Sequence, residues 1–162
     1  KLRRGYYIFS DLPLSEEVLF LIANRLYSPS YVSLEAALSF YGLIPEGVYA
    51  VTSISTRKTS RFKTPLAEFI YCRMKRELFF GYQLLPGGGS QGKIAEREKA
   101  VLDFLYLHPE MADEAAFFEW RFNGQDFLAQ ANLAKFREYL KVFANRRLKQ
   151  RAEIFLNFIR EK

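Results

Sequence analysis

Ser28 to Glu46 reads SPSYVSLEAALSFYGLIPE. Pro29 cannot continue a helix arriving from upstream, so the chain must turn there. Ser33 has the chemistry of an N-cap and opens a short helix, roughly Leu34 to Tyr41. Leu34, Ala37, Leu38 and Tyr41 fall on one face of it. Gly42 stands where a left-handed C-cap would be, and Pro45 follows as it commonly does after a helix end. From Gly47 the hydrophobic period drops from helical to two, and this switch in period decides the fold class.

Upstream, residues 3–9 (RRGYYIF) read as a short strand and DLPL at 11–14 as a turn. Ser15 caps a helix over about 16–27, with Glu16 and Glu17 at the favourable end of its dipole. Downstream, three β-rich runs follow at 48–56 (VYAVTSIST), 67–74 (AEFIYCRM) and 78–85 (LFFGYQLL). They predict an antiparallel sheet of three or more strands. The run PGGGSQGK at 86–93 reads as the most flexible stretch. Helices are then predicted over 95–107 and about 110–121, with a turn at Asn123-Gly124. Two more carry the stripes Leu133, Phe136, Leu140, Phe143 and Leu148, Ala152, Phe155, Ile159. A sheet followed by helices is α+β: an antiparallel sheet packed with helices, then a helical C-terminal portion.

The 162 residues suit one domain, or one domain with a small appendage, and 49% hydrophobic content suffices for a core without metals or disulfides. The lone Cys72 has no disulfide partner in the chain, and its isolation favours a reducing cytoplasm. The apolar runs are too short for a membrane span or a signal peptide. The chain does not start with Met and is expected to begin inside a longer gene product. The net charge of +6 is blocked: 1–4, 57–76 and 135–162 are basic, while 5–56 and 77–134 are acidic. Such blocks mark either a phosphate-facing surface or ordinary solvated faces.

Motifs that would carry chemistry are incomplete. Gly87, Gly92 and Lys93 fit the phosphate-loop spacing, but Ile94 replaces the Mg²⁺-binding hydroxyl. Gly89-Ser90 followed by Asp103 has a faint likeness to a nucleotidyltransferase, but Leu105 stands where the second metal-binding carboxylate belongs. Asp103 is expected instead in a buried ion pair or hydrogen bond. Glu96, Glu98 and Lys99 miss the nuclease pattern because Arg97 occupies the acid's position. His108 is read as a helix end. No catalytic residue, cofactor or metal site is assigned, and the chain is read as not an enzyme. Two basic groups remain as candidate DNA contacts. Arg57, Lys58, Arg61 and Lys63 are interleaved with Thr56, Thr59 and Ser60, which can donate to phosphates. Arg146 and Arg147, followed by Lys149 and Arg151, begin the last helix. Edge protection and a solvent face are the respective structural alternatives.

The order of the blocks is more specific than any one of them. RRGYYIF, ANRLYSPSYVSLEAALSFYGLIPE, VYAVTSISTRKTSRF, FIYCRMKRELFFGY and IAEREKAVLDFLYL together resemble the AbiEi abortive-infection antitoxin family, predicted transcriptional regulators of viral defence. The likeness covers about residues 3–107. It implies that residues 1–10 are the tail of a truncated winged-helix module and 11–125 the antitoxin core; 126–162, beyond the likeness, is read from its helical stripes as an extension packed on that core. It implies a cytoplasmic antitoxin of a toxin-antitoxin system that represses its own operon. Operator DNA would be read mainly by the missing winged helix, with Arg3 and Arg4 adding to the basic contacts. The other implied partner is a nucleotidyltransferase-like toxin, linked to the chain in function, with or without direct binding. The alternative is a protein-interaction domain, in which 132–160 docks that toxin or a second copy of the chain.

Overall fold

Tyr31 and Val32 lie at the centre of the molecule because the strand that carries them is sandwiched on both sides. In the computed structural model, which describes residues 5, 14–45, 47, 49–85 and 92–162, this strand is β1 (Ser30–Val32). It pairs antiparallel with β2 (Ala50–Ser55) and parallel with β6 (Lys93–Ala95). β2 pairs parallel with β4 (Glu68–Arg73), which pairs antiparallel with β3 (Ser60–Lys63) at one edge. β5 (Tyr82–Leu84) closes the other edge against β6. The sheet order is β3-β4-β2-β1-β6-β5.

The α+β class expected from the sequence is what the chain adopts, and its sheet is mixed. The purely antiparallel expectation assumed that successive strands lie side by side. Instead the β3–β4 hairpin folds back so that β4 slots between β3 and β2. This makes β2 and β4 parallel, with β3 serving as their crossover. β2 alternates its side chains between two covered faces and is buried along nearly its whole length. On one face lies α1 (Glu16–Leu26), where the Tyr71 hydroxyl donates to the Ala23 carbonyl at 2.5 Å. On the other lie α2 (Leu34–Phe40) and α3 (Arg97–Leu107).

The helix ends follow the sequence with one instructive exception. Ser15 Oγ accepts the Val18 N–H, as expected of a cap. At Gly42 the chain turns left-handed, and the N–H groups of Gly42 and Leu43 donate to the carbonyls of Ser39 and Leu38. That is the Schellman arrangement. Ser33, expected to cap α2, makes no capping bond. The Thr52 hydroxyl of β2 takes the role: it accepts the Ala36 N–H at 3.0 Å and donates to the Ser33 carbonyl at 2.7 Å. The run 78–85, expected as one strand, breaks into a 3₁₀ turn at Arg76–Leu78 and the short β5.

After α3 come α4 (Glu114–Glu119), α5 (Gly124–Gln130), α6 (Leu133–Phe143) and α7 (Arg146–Arg160). Asn123, expected with Gly124 to form a turn, is the N-cap of α5 and accepts the Asp126 N–H. Asn is as good a cap as it is a turn residue, and only the downstream packing decides between the two. Asn132 and Asn145 cap α6 and α7 in the same way. Phe155 of α7 meets the rings of Phe117, Trp120, Phe122 and Phe127. The expected boundary between 125 and 126 falls inside α5, and one buried cluster runs from Phe20 to Ile159. All of the expected strand at 3–9 except Gly5, and nearly all of the Gly-rich run, lie outside the described residues.

Candidate nucleic-acid interface

The distinctive sequence blocks converge on a buried polar node. The Asp103 carboxylate accepts hydrogen bonds from the hydroxyls of Tyr31 and Ser33, both at 2.9 Å. It also pairs with Lys99 one helical turn earlier, and Lys99 Nζ donates to the Tyr31 oxygen at 2.8 Å. Both charged side chains are fully buried. Burial pushes the Asp103 carboxyl up and the Lys99 amine down, while each partner's charge works against the other's shift. Beside them, Gly81 has φ of +72°, and a Cβ there would come within 2.9 Å of Lys99 Cγ. Leu34, with φ of 57°, sits in the strained turn that brings Ser33 into the node.

The neighbouring acids are engaged as well. Glu98 accepts the Asn132 N–H at 2.6 Å, where α6 begins. Glu96 accepts the Tyr139 hydroxyl at 2.5 Å and pairs with Lys135 at 3.3 Å. So the A-x-x-E-K-A-x-L-D block, Ala95 to Asp103, fastens α3 to the sheet and α6 to α3. His108 is the C-cap of α3, stacked 4.2 Å from Phe104 and 2.8 Å from Glu110. Among the described residues no group of three His, Cys, Asp or Glu is placed to hold a metal ion. None of the described helices is long and apolar enough to cross a membrane.

Exposed charge gathers at one end of the sheet. The turn after β2 is held by hydrogen bonds that leave its cations exposed. Ser55 Oγ donates to the Pro29 carbonyl at 2.6 Å and accepts the Arg57 N–H at 3.2 Å. The Tyr27 hydroxyl donates to the Lys58 carbonyl at 2.8 Å. The Arg57 guanidinium lies 4.2 Å over the Tyr27 ring and reaches the Ser28 carbonyl. Because β2 and β4 run parallel, Arg73 is level with Ser55, and the Met74 N–H donates to the Ser55 carbonyl. Lys75 and Arg76 follow directly. Arg57, Lys58, Arg73, Lys75 and Arg76 are all exposed, and none forms an ion pair among the described residues.

This rearranges the sequence candidates. Arg57 and Lys58 belong to the cluster. Arg61 stands on β3 and pairs with Glu68 at 3.3 Å. Lys63 is level with Glu68, toward the opposite end of the strand. Arg3 and Arg4 lie outside the described residues. Arg146 and Arg147 are exposed on a different surface, at the start of α7. Arg151, grouped with them by sequence, is buried: its guanidinium donates to the carbonyls of Leu105 and His108 at 2.5 and 3.1 Å and closes the end of α3. Arg73, Lys75 and Arg76 belong to the same basic block, 57–76, but nothing in the sequence singles them out as contacts. Only the parallel β2–β4 register places them beside Arg57.

Compared with known proteins, the chain matches no family model and no curated protein.

Proposed function

We propose that this chain is the non-catalytic regulatory core of a cytoplasmic antitoxin in an abortive-infection toxin-antitoxin system, similar to the AbiEi regulators, and that it represses its own operon. The observation that carries the reading is the cluster of Arg57, Lys58, Arg73, Lys75 and Arg76 at one end of the sheet. Such a cluster suits the phosphate backbone: it supplies position and affinity without reading sequence. Thr59 and Ser60 lie within it, and Arg57 is already oriented by Tyr27. Within the blocks that carry the family resemblance, Tyr31, Ser33, Lys99 and Asp103 are buried and tie α3 to the sheet, which fits a scaffold that presents this end. Glu96 and Glu98, the acids nearest to a catalytic pattern together with Asp103, are engaged in contacts that hold α6 to α3, and Asp103 holds α3 to β1 and the turn after it.

The test is a gel-shift titration of the protein's own promoter DNA over a salt series. Replacing Arg57, Lys58 and Arg73 by Ala together should lower the dependence of log K on log [salt] by about 2–3, near 0.9 for each phosphate no longer neutralised. An unchanged slope would sink the interface. The antitoxin reading has a separate readout: co-expression with a neighbouring nucleotidyltransferase-like gene product, where growth should depend on the chain. No growth defect from that gene product, or no rescue by the chain, would refute it.

A further inference from the structure

Two surfaces of this chain have matching chemistry. α7 opens on Arg146 and Arg147 with no acid in its first turn. Cations there oppose the helix dipole, so helix stability does not account for them. Lys149 follows on the exposed side. Across from it, Arg137 and Lys141 of α6 border a groove of about 260 Å³ floored by Leu140. The groove shares Lys149 and Glu153 with a depression of about 620 Å³ that includes Arg146 and the exposed Ile154. Glu153 is the single acid lining either. Arg137, Lys141, Arg146 and Lys149 form no ion pair among the described residues.

The counterpart is α4. Residues 109–120 contain Glu110, Asp113, Glu114 and Glu119 and no Lys or Arg. The outer side of α4 presents Glu114, Ala115, Phe118 and Glu119. Phe118 is 66% exposed, the largest exposure among the described phenylalanines, with Lys162 Nζ 4.6 Å from its ring centre. An acidic helix face with a protruding ring fits a basic groove with an aliphatic floor.

We propose that the α4 face of one copy docks into the α6–α7 groove of a second copy. Phe118 lies against Leu140 and Ile154, and Glu114 and Glu119 meet Lys141, Lys149 and their neighbours. A nucleic acid on the same groove would satisfy the cations but leave Phe118 and Ile154 uncovered. The contact is heterologous, with different patches on its two sides. A helix of 6 residues buries little, so the association is weak and strongly salt-dependent. The proposal rests on these two faces and is independent of the antitoxin reading.

Sedimentation velocity of the intact chain over a rising concentration series at low salt tests it. The wild type should show a sedimentation coefficient that climbs with concentration and falls back when salt is added. K141E/K149E reverses the groove, and E114K/E119K reverses the helix. Each variant alone should self-associate about tenfold more weakly or not at all, because like charges then face one another. Mixed together they should associate again, since each supplies the surface the other lacks. All four positions are exposed, and recovery in the mixture shows that neither variant failed through misfolding. A wild type that stays monomeric overturns the proposal. So does a mixture that stays monomeric, or groove reversal that leaves self-association intact and weakens only binding to a DNA duplex.

Discussion

The buried node and the basic end of the sheet use similar residue types to opposite ends. At the node, Lys99 and Asp103 are removed from water, and the hydroxyls offered to them come from other elements: Tyr31 from β1, Ser33 from the β1–α2 turn. At the sheet end, Arg57, Lys58, Arg73, Lys75 and Arg76 stay in water with no carboxylate paired to them among the described residues. The first arrangement cannot be disturbed without cost, because a buried charge deprived of its partner stays buried. Apart from the contacts of Arg57 with Tyr27 and the Ser28 carbonyl, the second costs the fold almost nothing to disturb, so the fold does not explain why it is there. Burial, more than residue type, separates the charges that build this molecule from those available to a partner.

The sharpest break in that comparison is Asp103→Ala. It leaves the Lys99 ammonium fully buried without its counter-charge, and the expected loss is about 3–5 kcal/mol in urea unfolding. The paired replacement Lys99→Met with Asp103→Leu should cost clearly less, since neither charge then remains to be desolvated. If the double variant proves as unstable as the single one, the node is held by packing and its charges are incidental.

Next in size is Thr52→Val, which keeps the shape and removes the hydroxyl. The Ala36 N–H and the Ser33 carbonyl are both left without that buried partner, for an expected loss of about 1–3 kcal/mol. Ser33→Ala tests the other side of the exchange. Its hydroxyl serves Asp103 and not the helix, so the destabilisation should come with a weakened node while α2 keeps its cap. Amide exchange at Ala36 distinguishes the two: it should speed up in Thr52→Val relative to global unfolding and stay unchanged in Ser33→Ala.

That exchange also marks how far the sequence can be read. Ser33 before Leu34 has every local mark of a cap, and Gly42 every mark of a helix end. Gly42 behaves accordingly because its role depends only on its own backbone. Ser33 does not, because its hydroxyl is directed to a carboxylate seventy positions away and Thr52 of β2 takes the Ala36 N–H in its place. The same division holds across the fold. Helical stripes and turns are legible because they are local. The parallel β2–β4 pairing is not, since it depends on where the β3–β4 hairpin folds back. The candidate interface inherits that limit. Arg57 and Lys58 are legible as a basic turn, whereas Arg73, Lys75 and Arg76 become candidates only once the register is known. Arg151 goes the other way, from an expected surface cation to a buried closure of α3.

The smallest expected effects lie at the sheet end, and there a small effect on stability is the informative one. Replacing Arg73, Lys75 and Arg76 together by Ala should change unfolding free energy by no more than about 0.5 kcal/mol, since none is buried or ion-paired. Lys63→Ala should be equally silent toward the fold. The two differ toward DNA. The triple variant should reduce the salt dependence of binding, while Lys63, toward the far end of β3, should leave it unchanged. Arg61→Ala should cost slightly more than Lys63→Ala, because it breaks the ion pair with Glu68, but that pair is 60% exposed on the Arg side and contributes only about a few tenths of a kcal/mol. Were Lys63→Ala to flatten the salt dependence as much as the triple variant does, phosphate contact would extend along the whole of β3. The sheet edge, and not its end, would then be the surface that meets the backbone.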